Sequence, residues 1–158
     1  MTTHTFVPTP APGSLRLAVD ELAPAMMRAM TALDAASKKT SLEKPLLELV
    51  RARASQLNGC AYCVDLHSGD AIAGGESQRR LFNLPVWRET AMFTDRERAA
   101  LDLTEAATRL TDGPVSDEVF AAAAAQFDET ELAELIWTIT VINAWNRLGA
   151  TARPWPLD

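Results

Sequence analysis

Apolar positions recur along this chain at spacings of three and four residues, and alternating β-branched runs are almost absent. That period predicts amphipathic helices and not strands. Leu15, Val19, Leu22, Met26, Met30 and Leu33 form the first row, which Pro24 should divide into a short helix and a longer one starting near the proline. Leu42, Leu46, Leu49, Val50, Arg53 and Leu57 mark the next helix. Thr40 with Glu43 reads as a capping box at its start, with Pro45 still in the first turn, and Gly59 after Asn58 reads as a left-handed cap at its end. Another helix is expected from Cys60 to about Gly74, where Gly74-Gly75 is a stop. Short helices follow over Glu76–Phe82 and Pro85–Thr90, and Thr94 with Glu97 caps a helix reaching Leu110. Asp112-Gly113-Pro114 is a turn, and Asp117–Gln126 is an alanine-rich helix. Asp128 and Glu131 open the last long helix, whose apolar stripe is Leu132, Leu135, Ile136, Ile139 and Ile142 and which Gly149 should close.

The fold class is therefore all-α, a single domain of seven or eight helices over residues 14–150. An extended arm, residues 1–13 with Pro8, Pro10 and Pro12, precedes it, and a tail, residues 151–158 containing RPWPLD, follows. At 158 residues the chain can bury a core without metal or disulfide staples. A net charge of −6 repels phosphate backbones, so nucleic acid is not an expected partner. No segment approaches the roughly 20 apolar residues that span a bilayer. The first residues lack the basic and apolar regions of a signal peptide, so a cytoplasmic, reducing location is expected. There, close cysteines suggest redox chemistry or metal binding before a structural bridge.

Both cysteines lie in LELVRARASQLNGCAYCVDLHSGDA, residues 47–71, with one of the chain's two histidines. If Gly59 ends one helix, Cys60 and Cys63 stand in the first turn of the next, where free amides and the helix dipole favour thiolate. Three-residue spacing puts both sulfurs on one side, near enough to bridge. A loop that small gains little stability, so such a bridge is better explained by chemistry. His67, one turn beyond Cys63, is a candidate base. Glu48 precedes Gly59 by eleven residues and His67 follows it by eight, so in a helical hairpin the two sit within a turn of the same height. The relay expected is Glu48 to His67 to Cys63, with the better exposed Cys60 as second thiol. A zinc site from Cys60, Cys63 and His67 lacks a fourth sulfur or nitrogen ligand except His4 in the arm, and Glu48 suits a structural site poorly. No metal and no cofactor are expected.

Plainer roles cover the rest. Tyr62 is read as partly buried packing or a pocket-lining hydroxyl, and Met26, Met27 and Met30 as core or subunit interface. Trp137, Trp145 and Trp155 are expected to pack the last helix and its tail. Asn143, Asn146 and Arg147 face a site or an interface only as a lesser reading.

The stretch ELVRARASQLNGCAYCVDLHSGDA resembles the AhpD alkylhydroperoxidase core within the carboxymuconolactone decarboxylase superfamily, through a glutamate, C-x-x-C and histidine in Glu-x11-Cys-x-x-Cys-x3-His. FTDRERAALDLTEAATRL and VINAWNRLGA are similar to further segments, so the likeness spans about residues 20–150. It implies an all-helical AhpD-like fold and a thiol peroxidase. Cys63 is then the peroxide-reducing thiol, Cys60 the resolving thiol, and Glu48 with His67 the proton relay. It also implies a dithiol or lipoyl-bearing protein as reductant and assembly as a homo-oligomer, a trimer or hexamer. The best-known AhpD type carries a histidine where this chain has Tyr62. The decarboxylase branch generally lacks the cysteine pair. The rival readings are a lyase using Glu48 and His67, a zinc-binding interaction protein and a non-catalytic thiol redox sensor.

Overall fold

The computed structural model describes residues 11 and 13–157. Eight α-helices, and no strand, are found among them: α1 (Val19–Leu22), α2 (Pro24–Ser37), α3 (Lys44–Asn58), α4 (Ala61–Ala73), α5 (Gln78–Asn83), α6 (Asp95–Thr108), α7 (Asp117–Ala124) and α8 (Glu129–Ala152). Short 3-10 turns, Leu84–Glu89 and Leu110–Asp112, follow α5 and α6. Pro24 opens α2 as expected, and the capping boxes at Thr94/Glu97 and Asp128/Glu131 are both formed. None of these helices is long and apolar enough to cross a membrane.

The fold is organised around α3. Every residue from Leu46 to Ser55 except Glu48 is buried, so this helix is wrapped on all sides and not along one stripe. Leu46, Leu47 and Val50 enter one core with Leu103, Leu135 and Ile139 of α6 and α8. Leu49 and Ala52 enter a second with Ala71, Leu84, Trp87 and Leu101. Full burial of a leucine contributes about 1.5–3 kcal/mol, so Leu49, Leu101 and Leu135 carry much of this packing.

Arg53, placed by the sequence on the apolar stripe, is buried as an ion. Its Nε donates to Glu105 Oε1 at 2.7 Å, Trp87 Nε1 donates to the same oxygen at 2.9 Å, and Arg88 Nη1 donates to Oε2 at 2.6 Å. Burial pushes the Glu105 carboxyl up, but the bonds from Arg88, Trp87 and Arg53 outweigh it and hold the group below its ordinary value.

Several boundaries differ from the expected ones. The Thr40 capping box is not formed: α3 starts at Lys44 with Glu43 as its cap, and the Thr40 hydroxyl is buried without a partner. Pro45 decides this, because in a helix starting at Ser41 it would break an internal hydrogen bond, whereas one residue into a helix starting at Lys44 it breaks none. Ser41 instead bonds Glu134 Oε2 through its backbone N–H at 2.9 Å and its hydroxyl at 2.7 Å. Gly149 does not close α8, which runs to Ala152 and ends on Arg153 in the left-handed region at φ 45°. Ile136 lies at the edge of the stripe and is exposed, and Trp137 is 57% exposed, while the tryptophan that pairs with Trp155 of the tail is Trp145. Met26 is also exposed and is no part of the core. The expected arm and His4 lie outside the described residues except for Ala11 and Gly13.

Candidate active site

The α3–α4 hairpin builds the site. Gly59 takes φ 65°, which reverses the chain, and the Cys60 N–H returns to the Ser55 carbonyl at 3.1 Å. Cys60 is the N-cap of α4 and not its first helical residue, and its sulfur accepts the Cys63 N–H at 3.4 Å. The two cysteines form a disulfide with their Cα atoms 5.3 Å apart. Both are buried, Cys60 at 1% and Cys63 at 3% exposure, so the expectation of a better exposed Cys60 fails. The cause is α8, whose backbone lies directly on the Cys60 sulfur.

His67 and Glu48 are brought together. The imidazole Nδ1 lies 2.8 Å from Glu48 Oε2, and the carboxylate can only accept, so Nδ1–H donates. Nε2 is then the ring atom able to exchange a proton. Arg51, unnoticed in the sequence, holds the other carboxylate oxygen through Nη1 at 2.6 Å. Its signal was its place three residues after Glu48, on the same side of the helix. Burial pushes the Glu48 carboxyl up, but the His67 hydrogen bond and the Arg51 charge outweigh it and hold the group below its ordinary value. The stabilising contribution of a carboxyl depressed in this way is present above its unfolded value, about 4.3, and is lost as pH falls through the lower folded value. Acid titration of the melting temperature should therefore show a loss below about pH 4 that Glu48→Gln lacks. Parallel acid profiles for the two proteins would contradict this.

Gly149 is the residue that sequence reasoning misread. A Cβ there would stand 2.6 Å from the Cys60 sulfur and 3.5 Å from the Cys63 sulfur, so the disulfide rests against bare helix backbone. Its register is fixed one turn earlier. Asn58 Nδ2 donates to Asn143 Oδ1 and Asn146 Oδ1, both at 2.9 Å, and Asn146 Nδ2 donates to the Ser55 hydroxyl at 3.0 Å. Asn143 and Asn146 thus clamp α8 to the end of α3. Gly149→Ala gains about 1 kcal/mol of helix propensity but overpacks the bridged sulfurs by about 1–3 kcal/mol. A reduced Cys60 can rotate its thiol away, so the cost falls mainly on the oxidised form. Redox titration of Gly149→Ala should give a reduction potential higher by about 20–65 mV, since 30 mV corresponds to about 1.4 kcal/mol. A potential within error of the wild type would refute it.

Cys63 and His67 share a cavity of ≈ 200 Å³ walled by Tyr62, Leu66, Ile142, Trp145 and Trp155. The tryptophan rings of Trp145 and Trp155 meet edge to face at 5.7 Å. Glu48, His67 and Asp70 present ligand atoms within 4.8 Å of one another. Both Glu48 oxygens are already engaged, and the Arg51 guanidinium adds positive charge at the same place, so the donor set fits a proton relay better than a cation.

The sequence profile of the carboxymuconolactone decarboxylase family matches residues 24–106. The uncharacterized protein YdfG of Bacillus subtilis is 36% identical over 136 residues, covering 86% of this chain and 92% of its own. A solved structure from Agrobacterium tumefaciens, a protein of unknown function described as a candidate AhpD antioxidant defence protein, superimposes with a TM-score of 0.88 at 31% identity over 92% of this chain and 100% of its own. An uncharacterized peroxidase-related protein from Ralstonia eutropha, described as an alkylhydroperoxidase AhpD core, shares the fold with a TM-score of 0.76 at 22% identity over 89% of this chain and 75% of its own. With the paired cysteines at the head of α4 inside that fold, the chain belongs to the carboxymuconolactone decarboxylase family as an AhpD-like member.

Proposed function

We propose that this protein is a dithiol-dependent hydroperoxide reductase with an antioxidant role. The observation that carries the reading is the cavity lined by both Cys63 and His67, whose ring is held at Nδ1 by Glu48 so that Nε2 stays free. A base that shares a cavity with a thiol and is oriented by a carboxylate can activate a nucleophile. The apolar wall of Leu66, Ile142, Trp145 and Trp155 favours an organic hydroperoxide as substrate.

In the cycle, the Cys63 thiolate attacks the distal peroxide oxygen. The O–O bond breaks, Cys63 becomes a sulfenic acid, and the alcohol leaves with a proton passed by His67. Cys60 then attacks that sulfur, water leaves, and the disulfide described above forms. A dithiol, for example on a lipoyl-bearing protein, restores both thiols by exchange.

The test is consumption of cumene hydroperoxide with dithiothreitol as reductant, before and after alkylation of the reduced protein. Turnover lost on alkylation supports the proposal. A lyase using Glu48 and His67 would be indifferent to alkylation, and a thiol sensor would oxidise once and stop. Either outcome overturns the proposal.

A further inference from the structure

The two cysteines of the bridge line different cavities. Cys63 faces the cavity with His67, while Cys60 lines a second one of ≈ 300 Å³ with Gly59, Gly149, Arg153, Pro156 and Leu157. Tyr62 and Trp155 border both. The Trp155 ring lies 5.2 Å from that of Tyr62 and 5.7 Å from that of Trp145. It reaches this place because Arg153 turns left-handed at φ 45°, with its N–H on the Gly149 carbonyl at 3.0 Å, and swings the tail back towards the disulfide. Pro154 and Pro156 flank Trp155 and fix φ on either side, so the ring is positioned at small entropic cost.

Thiol–disulfide exchange has a direction. The attacking thiolate comes in line with the S–S bond, from the side opposite the sulfur that leaves. Attack that expels Cys63 must therefore reach Cys60 from its own side, and Cys60, 1% exposed, lines the cavity bordered by the tail residues Trp155, Pro156 and Leu157. This polarity is the productive one, because Cys63 then leaves into the cavity that holds His67, where a proton is at hand.

We propose that Trp155 is the specificity-determining residue for the reductant: it walls the Cys63 cavity off from the Cys60 cavity and limits the size of the dithiol that reaches Cys60. This rests on reading the cysteine pair as a redox centre. In the step, one reductant thiolate bonds to the Cys60 sulfur and the Cys60–Cys63 bond breaks. Its electron pair goes to Cys63, which takes a proton. The second reductant thiol then attacks the mixed disulfide, releases Cys60 as thiolate and leaves as the oxidised dithiol, two electrons having passed to the protein.

The experiment follows reduction of the preformed disulfide without peroxide, by acid quench and thiol labelling. Dithiothreitol serves as the small probe and reduced thioredoxin as the large one. Trp155→Ala should raise the rate constant with thioredoxin by about tenfold and with dithiothreitol by less than about threefold, because access limits only the large thiol. Trp155→Phe, which keeps an aromatic wall, should stay close to the wild type with both. If Trp155→Ala melts at assay temperature, Trp155→Leu replaces it with the same expectation. Equal acceleration with both probes, no acceleration, or a phenylalanine variant as fast as the alanine one would overturn the inference. Because no peroxide is present, failure of the peroxidase reading would show only in the consumption assay and leave this size dependence standing.

Discussion

Cys63→Ser is expected to abolish dithiol-dependent peroxide consumption, leaving only the uncatalysed background, while Cys60→Ser should reduce one equivalent and stop. The reason lies in where each sulfur sits. Cys63 shares a cavity with His67, and its amide lies in the first turn of α4, whose positive end favours a thiolate. A serine hydroxyl in the same place has a proton far harder to remove and is a weak nucleophile towards peroxide. Cys60 lines the other cavity and is not among the residues that wall the one with His67. Without it the Cys63 sulfenic acid forms and finds no partner, so dimedone should label Cys60→Ser after peroxide treatment and should not label Cys63→Ser. Reversed labelling would exchange the roles of the two thiols. Retained turnover in Cys63→Ser would remove both from the chemistry.

Glu105→Ala is expected to cost about 3–5 kcal/mol of stability, the loss typical when one partner of a buried ion pair is removed. The Nε of Arg53, a residue 7% exposed, and the Trp87 indole N–H would both lose their acceptor and only the Arg53 Nη1 bond to Gln56 would remain, whereas Arg88 reaches water and can recover hydration. Urea denaturation should show a lower midpoint with an unchanged slope. Glu105→Gln, which keeps the shape and one acceptor oxygen, should lose less. The ion pair joins α6 to α3, the helix that also carries Glu48, so partial loss of activity in Glu105→Ala should follow its unfolding. Equal stability of Glu105→Ala and wild type would contradict this account.

Much of this was written in local sequence. Glu48 and His67 belong to one hairpin, so counting residues on either side of Gly59 and applying the helical rise was enough to place them side by side. Thr94 with Glu97 and Asp128 with Glu131 capped as expected because each box needs only its own first turn. Thr40 with Glu43 has the same pattern and fails, since Pro45 moves the helix start. What resisted reading depends on chain far away. Gly149 looks like any helix-ending glycine until α8 is laid across the hairpin and the Cys60 sulfur occupies the space of its missing side chain. The burial of Cys60 follows from the same long-range packing. Arg51 was hidden differently: within a helix wrapped on all sides, a charged residue is legible only through its partner.

The clamp between α3 and α8 consists of Ser55, Asn58, Asn143 and Asn146, all of them neutral. Amides and hydroxyls neither titrate in the physiological range nor weaken under ionic screening. Acid or salt can thus retune Glu48 and its partners while the seat of the sulfurs on α8 stays put, so the scaffold is deaf to the conditions that the charged groups around His67 hear.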